Sequence, residues 1–275
     1  MAGQVALWPG SGPIWVIGCG NMGGALLRRW LEVGLDASRV TVIDPAPRQI
    51  DGVEWVAELP EGSPECLILG IKPQMLAELA PAITGHVSAQ TTLISILAGT
   101  ECAALAKHFP NAGAIIRAMP NLPVMLGKGV TAFFAADADA TAKAAVDRLF
   151  APTGLCEWLT SEDDFHAIIA VSGSGPAFAY RFIGALADGG AALGLEPAQA
   201  LRLACATVEG AAAMASASDA DPAELARRVT SPGGTTAAGL AVMDAGGDFT
   251  RIISDTQKAT ADRSAEMATA SRNQA

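Results

Sequence analysis

Aromatic side chains are scarce in this chain of 275 residues, at 5% of positions, and charged ones are few, at 17%. Hydrophobic residues reach 51%, which excludes a disordered chain. The length allows one large domain or two ordinary ones. Basic residues are in deficit: 18 Lys and Arg face 28 Asp and Glu, for a net charge of -10. That argues against nucleic acid or an anionic membrane as partner, since both need a basic surface. An anionic small molecule would need a local site, because the global field repels it.

Cysteine is sparse and poorly placed for metal. Cys19, Cys66, Cys102, Cys156 and Cys205 form no CxxC pair and have no nearby His, so no metal site is expected. Their odd number in a chain of this size suggests reduced thiols and a cytoplasmic location. Residues 1–12 hold no Lys or Arg and lack the basic start of a signal peptide. No apolar stretch reaches the ~18 residues that span a bilayer. A Gly-x-Ser-x-Gly elbow and an HExxH pair are both missing. His86, His108 and His166 are read as structural or solvated, since none falls where a ligand is expected.

What is there alternates. Short apolar runs at 13–18, 39–44, 66–71, 91–97, 114–118, 130–134 and 155–159 read as buried strands. Helical spacing fits 21–33, 74–83, 101–109 and 140–150. Strands with few charges on either face belong to a parallel sheet covered on both sides, so the first half reads as a doubly wound α/β domain. After about residue 160 the strand signals stop. Helical patterns cover 177–193, 197–215, 222–229, 235–245 and 249–267, and the tail beyond Met267 reads as frayed. The expected organisation is a Rossmann-like dinucleotide-binding domain over 1–160 and a helical substrate-binding and dimerisation domain over 161–275. The second is rich in Ala and Gly and has little bulk to bury alone. That favours a dimer, with a self-sufficient bundle as the alternative. Asp221-Pro222-Ala223-Glu224 reads as an N-cap, a Pro at the first helical position and a Glu reaching back.

Gly18-Cys19-Gly20-Asn21-Met22-Gly23 fits G-x-G-x-x-G between a strand and a helix. Gly18 permits the tight turn, Gly20 the approach of a pyrophosphate, and Gly23 close helix–strand packing. No Gly-Lys-Ser/Thr follows, which excludes a P-loop. Asp44 ends the next strand, near the spacing at which an acid meets the adenosine ribose. It suits the hydroxyls of NAD, whereas Arg48 suits the extra phosphate of NADP, and the choice stays open. Ile71, Lys72 and Pro73, then Ala98 and Gly99, then Asn121 follow strands at the sheet's carboxyl edge, where such folds bind ligands. Ser231-Pro232-Gly233-Gly234-Thr235-Thr236 places backbone N–H groups at a helix start, a ready anion site.

Along nearly its whole length the chain resembles the pyrroline-5-carboxylate reductase family. The matching pieces are the glycine turn, Ile71-Lys72-Pro73-Gln74, Ser95-Ile96-Leu97-Ala98-Gly99 and Arg117-Ala118-Met119-Pro120-Asn121. In the second half they are Val171-Ser172-Gly173-Ser174-Gly175-Pro176-Ala177 and Thr230-Ser231-Pro232-Gly233-Gly234-Thr235-Thr236. The resemblance implies reduction of 1-pyrroline-5-carboxylate to L-proline by NADPH or NADH, in a homodimer or an assembly of dimers. It also implies that Thr236 hydrogen-bonds the ring nitrogen, with Ser231, Gly233, Gly234 and Thr235 holding the substrate. A β-hydroxyacid dehydrogenase would be expected to carry a Lys in a long helix of the second half, and 177–215 has none. A non-catalytic NAD(P)-sensing module is disfavoured by the intact substrate loop.

Overall fold

The computed structural model describes residues 6–46 and 50–272. Eight strands form one sheet: β1 (Ile14–Ile17), β2 (Val40–Ile43), β3 (Glu54–Val56), β4 (Cys66–Leu69), β5 (Thr92–Ser95), β6 (Ala114–Pro120), β7 (Gly129–Phe134) and β8 (Gly154–Trp158). Their order is β3-β2-β1-β4-β5-β6-β7-β8. The chain runs outward from β1 to one side, then returns to continue on the other from β4. This reversal opens a crevice beyond the carboxyl ends of β1, β2 and β4. Every residue of β1, β2, β4 and β5 is buried, as a sheet covered on both faces requires.

Ten helices are described: α1 (Asn21–Glu32), α2 (Leu76–Thr84), α3 (Cys102–His108), α4 (Ala140–Phe150), α5 (Phe165–Ile168), α6 (Gly175–Ala192), α7 (Pro197–Ser216), α8 (Pro222–Arg228), α9 (Thr235–Met243) and α10 (Asp248–Arg272). One face of the sheet buries Leu26, Leu27 and Trp30 of α1 with Val146, Leu149 and Phe150 of α4. The other buries Leu76, Ala80 and Ile83 of α2 with Leu105 of α3. At the amino edge, Trp8 and Gly12, before β1, are tied down. Trp8 is buried, and Arg39 donates to the Gly12 carbonyl at 2.8 and 3.1 Å.

The sheet departs from the expected one in two places. β3 is an additional strand, short and half-exposed on the edge. β7 runs antiparallel to β6, so the sheet is mixed. Only residues 121–128 connect the two, and a parallel crossover needs a dozen or more. Gly127, at φ 67°, helps to reverse the chain there.

The chain divides into two compact units, 1–173 with 260–275, and 174–259. The strands end at Trp158, and the compact division falls later than residue 160. In the second unit, α6 and α7 pack through Ala187, Ala200 and Ala204, with Ile183 and Ala191 beside them. Larger apolar residues such as Tyr180, Phe182, Leu201, Leu203 and Met214 are exposed on the single chain. Asp221 caps α8 through the Glu224 N–H, as expected. Glu224 does not reach back, however: its carboxylate accepts from Arg227 and Arg228 instead.

The end of α10 belongs to the first unit and is ordered to Arg272, contrary to the expectation of fraying beyond Met267. Ala268 is 2% exposed, Ser264 Oγ lies 2.9 Å from His166 Nδ1, and Arg272 forms a two-pronged ion pair with Glu101 at 2.6–3.0 Å. Among the described residues, no helix is long and apolar enough to cross a membrane. No group of His, Cys, Asp and Glu there could hold a metal ion.

Candidate active site

The glycine turn links β1 to α1. Gly18 lies at φ 81°, in the left-handed region that favours glycine. A Cβ on it would lie 2.7 Å from the Ile71 nitrogen, so the turn also needs the bare backbone. A Cβ on Gly23 would lie 2.9 Å from the Gly18 carbonyl oxygen, which is why helix and strand approach so closely. Gly20 differs: a Cβ there meets nothing within 4 Å. Among the described residues, nothing fills the space beside it. That is the shape expected where a pyrophosphate comes up against backbone. α1 opens without a side-chain cap and without an acid in its first turn, leaving its first N–H groups and positive end to an anion. A dinucleotide fits these residues.

The side chains in this motif do other work. Cys19 is buried among core residues, and Met22 packs against the same core. The Cys19 N–H donates to Asp44 Oδ2 at 2.8 Å, so the acid after β2 helps shape the glycine turn. A cavity of about 520 Å³ lies at this edge. Of the expected site residues it takes in Gly18, Gly20, Asp44, Ile71 and Lys72. Lys72 has the extended ψ of 139° expected of a residue before proline. The wall also includes Ala57, Glu58 and Leu59, which the sequence reading missed because it did not recognise β3 before them. Arg48 lies outside the described residues.

Ala98 and Gly99 follow β5. Gly99 has φ 72°, and a Cβ there would meet the Met267 backbone at 3.6 Å, so this loop lies against α10. Next to it, the Glu162 carboxylate accepts from the Cys102 N–H at 2.9 Å and from Arg117 at 2.9 Å. Arg117 is buried, with its guanidinium 4.3 Å from the centre of the Phe165 ring. Burial pushes the Cys102 thiol up to about 12, so it stays protonated at neutral pH. Asn121 is buried. Its amide nitrogen donates to the Ser172 carbonyl and its oxygen accepts from the Val130 N–H, each at 2.8 Å. Ser172 belongs to a π-helical turn over 169–173, a local widening often found near function.

In the second unit, residues 231–236 form the entry to α9. Gly233 has φ 72°, and the Gly234 N–H donates to the Ser231 carbonyl at 3.0 Å. Gly234 is the N-cap and provides no side-chain hydrogen bond to the first turn. Ser231, Thr235 and Thr236 are exposed. The result is an uncapped helix start with hydroxyls beside it.

Residues 162–267 match the family model of pyrroline-5-carboxylate reductase dimerisation, and residues 13–99 match that of NADP oxidoreductase coenzyme F420-dependent. The pyrroline-5-carboxylate reductase of Pseudomonas aeruginosa is 35% identical, over 92% of this chain and 95% of its own. The chain belongs to the pyrroline-5-carboxylate reductase family. The reductase of Synechocystis is 41% identical over 74% of this chain and 75% of its own. Among solved structures, a pyrroline-5-carboxylate reductase from Coxiella burnetii is 29% identical, with a TM-score of 0.83 over 94% of this chain and 99% of that one. The two model matches divide the sequence-expected site residues between them. The glycine turn, Asp44, Ile71, Lys72, Pro73, Ala98 and Gly99 fall in the oxidoreductase segment, and residues 231–236 in the dimerisation segment.

Proposed function

We propose that this protein reduces the cyclic imine 1-pyrroline-5-carboxylate to L-proline, the last step of proline biosynthesis. Its reductant is a reduced nicotinamide dinucleotide, NADPH or NADH. The observation that carries this reading is the likeness to pyrroline-5-carboxylate reductases over nearly the whole chain. Residues 1–160 are the dinucleotide-binding part and 161–275 the substrate-binding and dimerisation part. The protein works in the cytoplasm as a homodimer or an assembly of dimers.

Gly18, Cys19, Gly20, Asn21, Met22 and Gly23 hold the pyrophosphate at the start of α1, and Asp44 meets the adenosine ribose. Ile71, Lys72, Pro73, Ala98 and Gly99 line the remainder. Asn121 acts from behind, by anchoring Ser172. When bound, the reduced nicotinamide supplies the hydride that adds to the imine carbon, and the ring nitrogen gains a proton. An iminium accepts hydride readily, so the chain's own work is positioning and electrostatics.

Residues 231–236 do that work for the substrate. The start of α9 offers N–H groups and the positive end of a helix to the carboxylate, with Ser231 beside them. This gives an acidic protein a local place for an anion. Gly233 and Gly234 keep the backbone accessible, and Thr235 completes the turn. The Thr236 hydroxyl hydrogen-bonds the ring nitrogen and orients it for protonation.

Steady-state kinetics of Thr236→Val tests the reading. We expect kcat/KM for the imine to fall about tenfold or more, the size of a lost polar contact, with dinucleotide binding unchanged. An unchanged kcat/KM removes Thr236 from this role. Absence of imine-dependent dinucleotide oxidation by the wild-type protein overturns the function itself.

A further inference from the structure

We infer that Asp44 sets the dinucleotide preference of this protein and favours NADH over NADPH. The inference rests on the reading above, that a nicotinamide dinucleotide occupies the sheet edge. It goes beyond it, because the family model matching residues 13–99 carries NADP in its name while the residue after β2 is an acid.

Asp44 is held on four sides. Its N–H donates to the Val56 carbonyl at 3.1 Å, and its own carbonyl accepts from the Trp55 indole at 2.8 Å. Its side-chain Oδ2 accepts from the Cys19 N–H at 2.8 Å and Oδ1 from the Ala46 N–H at 2.9 Å. Rotation of the carboxylate away from an incoming ligand would break both side-chain bonds and unsettle the glycine turn. The negative charge is thereby fixed on the cavity wall. Each carboxylate oxygen still has accepting capacity beyond its one N–H, which suits the paired hydroxyls of an unphosphorylated ribose.

A phosphate on that ribose would place a second anion against a fixed carboxylate. Glu58, from the loop after β3, adds another acid to the same wall. Among the described residues that line the cavity, Lys72 is the only Lys or Arg, and it follows β4 rather than β2. A purely structural role for Asp44, shaping the turn alone, would affect both dinucleotides equally. Selection affects their ratio.

The test is calorimetric titration of the full-length protein, without substrate, with NADH and NADPH in separate runs. Wild type is expected to bind NADH about tenfold more tightly or better. Asp44→Ser and Asp44→Asn are expected to bring the ratio to parity or invert it. Equal or tighter NADPH binding by wild type overturns the proposal, and needs no variant to fold. So does a variant that weakens both ligands by the same factor. Arg48→Ala is run alongside: if it selectively weakens an NADPH complex that wild type prefers, Arg48 is the selector and Asp44 is not. If neither dinucleotide binds, the underlying cofactor reading fails, a result distinct from a wrong preference.

Discussion

Gly18 and Gly20 are two residues apart in one turn, yet substitution should affect them in opposite ways. A methyl on Gly18 meets backbone at 2.7 Å and forces a side chain into φ 81°. Gly18→Ala is therefore expected to destabilise the unliganded protein by roughly 1–3 kcal/mol, visible as a lower Tm. A methyl on Gly20 meets nothing within 4 Å. Gly20→Ala should leave the stability of the unliganded protein within about 0.5 kcal/mol of wild type, with little change in Tm, and weaken dinucleotide binding. A Gly20→Ala protein that binds dinucleotide normally would contradict the assignment of that space to the pyrophosphate. The glycine spacing was readable without a structure. So was the division of labour among its glycines; the distances that enforce it were not, because they depend on which neighbours face each Cα. Asn121 makes the same point. Its position after a strand was readable, but not that its amide joins two protein segments, at Ser172 and Val130.

At the level of elements, the end of α10 acts as a brace. It returns to the first unit and lies against Gly99, while Arg272 grips Glu101 at the entry to α3. The Arg272 hydrogen bond holds the Glu101 carboxyl below the usual glutamate range. A depressed folded pKa means that the stabilisation is fully present above the unfolded value and is lost as pH falls through the folded one. Arg272→Ala should thus lower Tm at pH 7, modestly because Arg272 is exposed, and the gap should close as the pH falls below the ordinary glutamate value of about 4. A gap independent of pH would rule out the ion pair as its cause. This brace could not be read from a tail that looks polar and ends the pattern. Nor could β3, whose three half-exposed residues carry too little apolar periodicity to stand out. The direction of β7 was legible in principle, since the short connection over 121–128 excludes a parallel crossover. An apolar run alone carries no direction.

For the whole molecule, the second unit buries only small side chains between α6 and α7 and leaves Tyr180, Phe182, Leu201 and Leu203 exposed on the single chain. A match to a dimerisation model across 162–267 gives those residues a reason to be apolar. Sedimentation at micromolar protein should show two chains or a multiple of two, and a monomer would contradict self-association. The alternation of strands and helices, the change to helices after residue 160 and the glycine turn were all visible in the residue pattern, since each follows from local periodicity. The pairing partners, the ion pair of buried Arg117 with part-buried Glu162 and the cavity wall at Glu58 were not, because each joins distant segments.

The central claim is transfer of a hydride to the carbon of a cyclic imine, and isotope labelling follows that atom directly. The protein is incubated with 1-pyrroline-5-carboxylate and a dinucleotide deuterated at the transferring position of the nicotinamide, and the product is read by mass spectrometry. The account predicts L-proline carrying one deuterium at the former imine carbon, formed in step with dinucleotide oxidation. Dinucleotide oxidation without labelled proline, or no reaction at all, would contradict it.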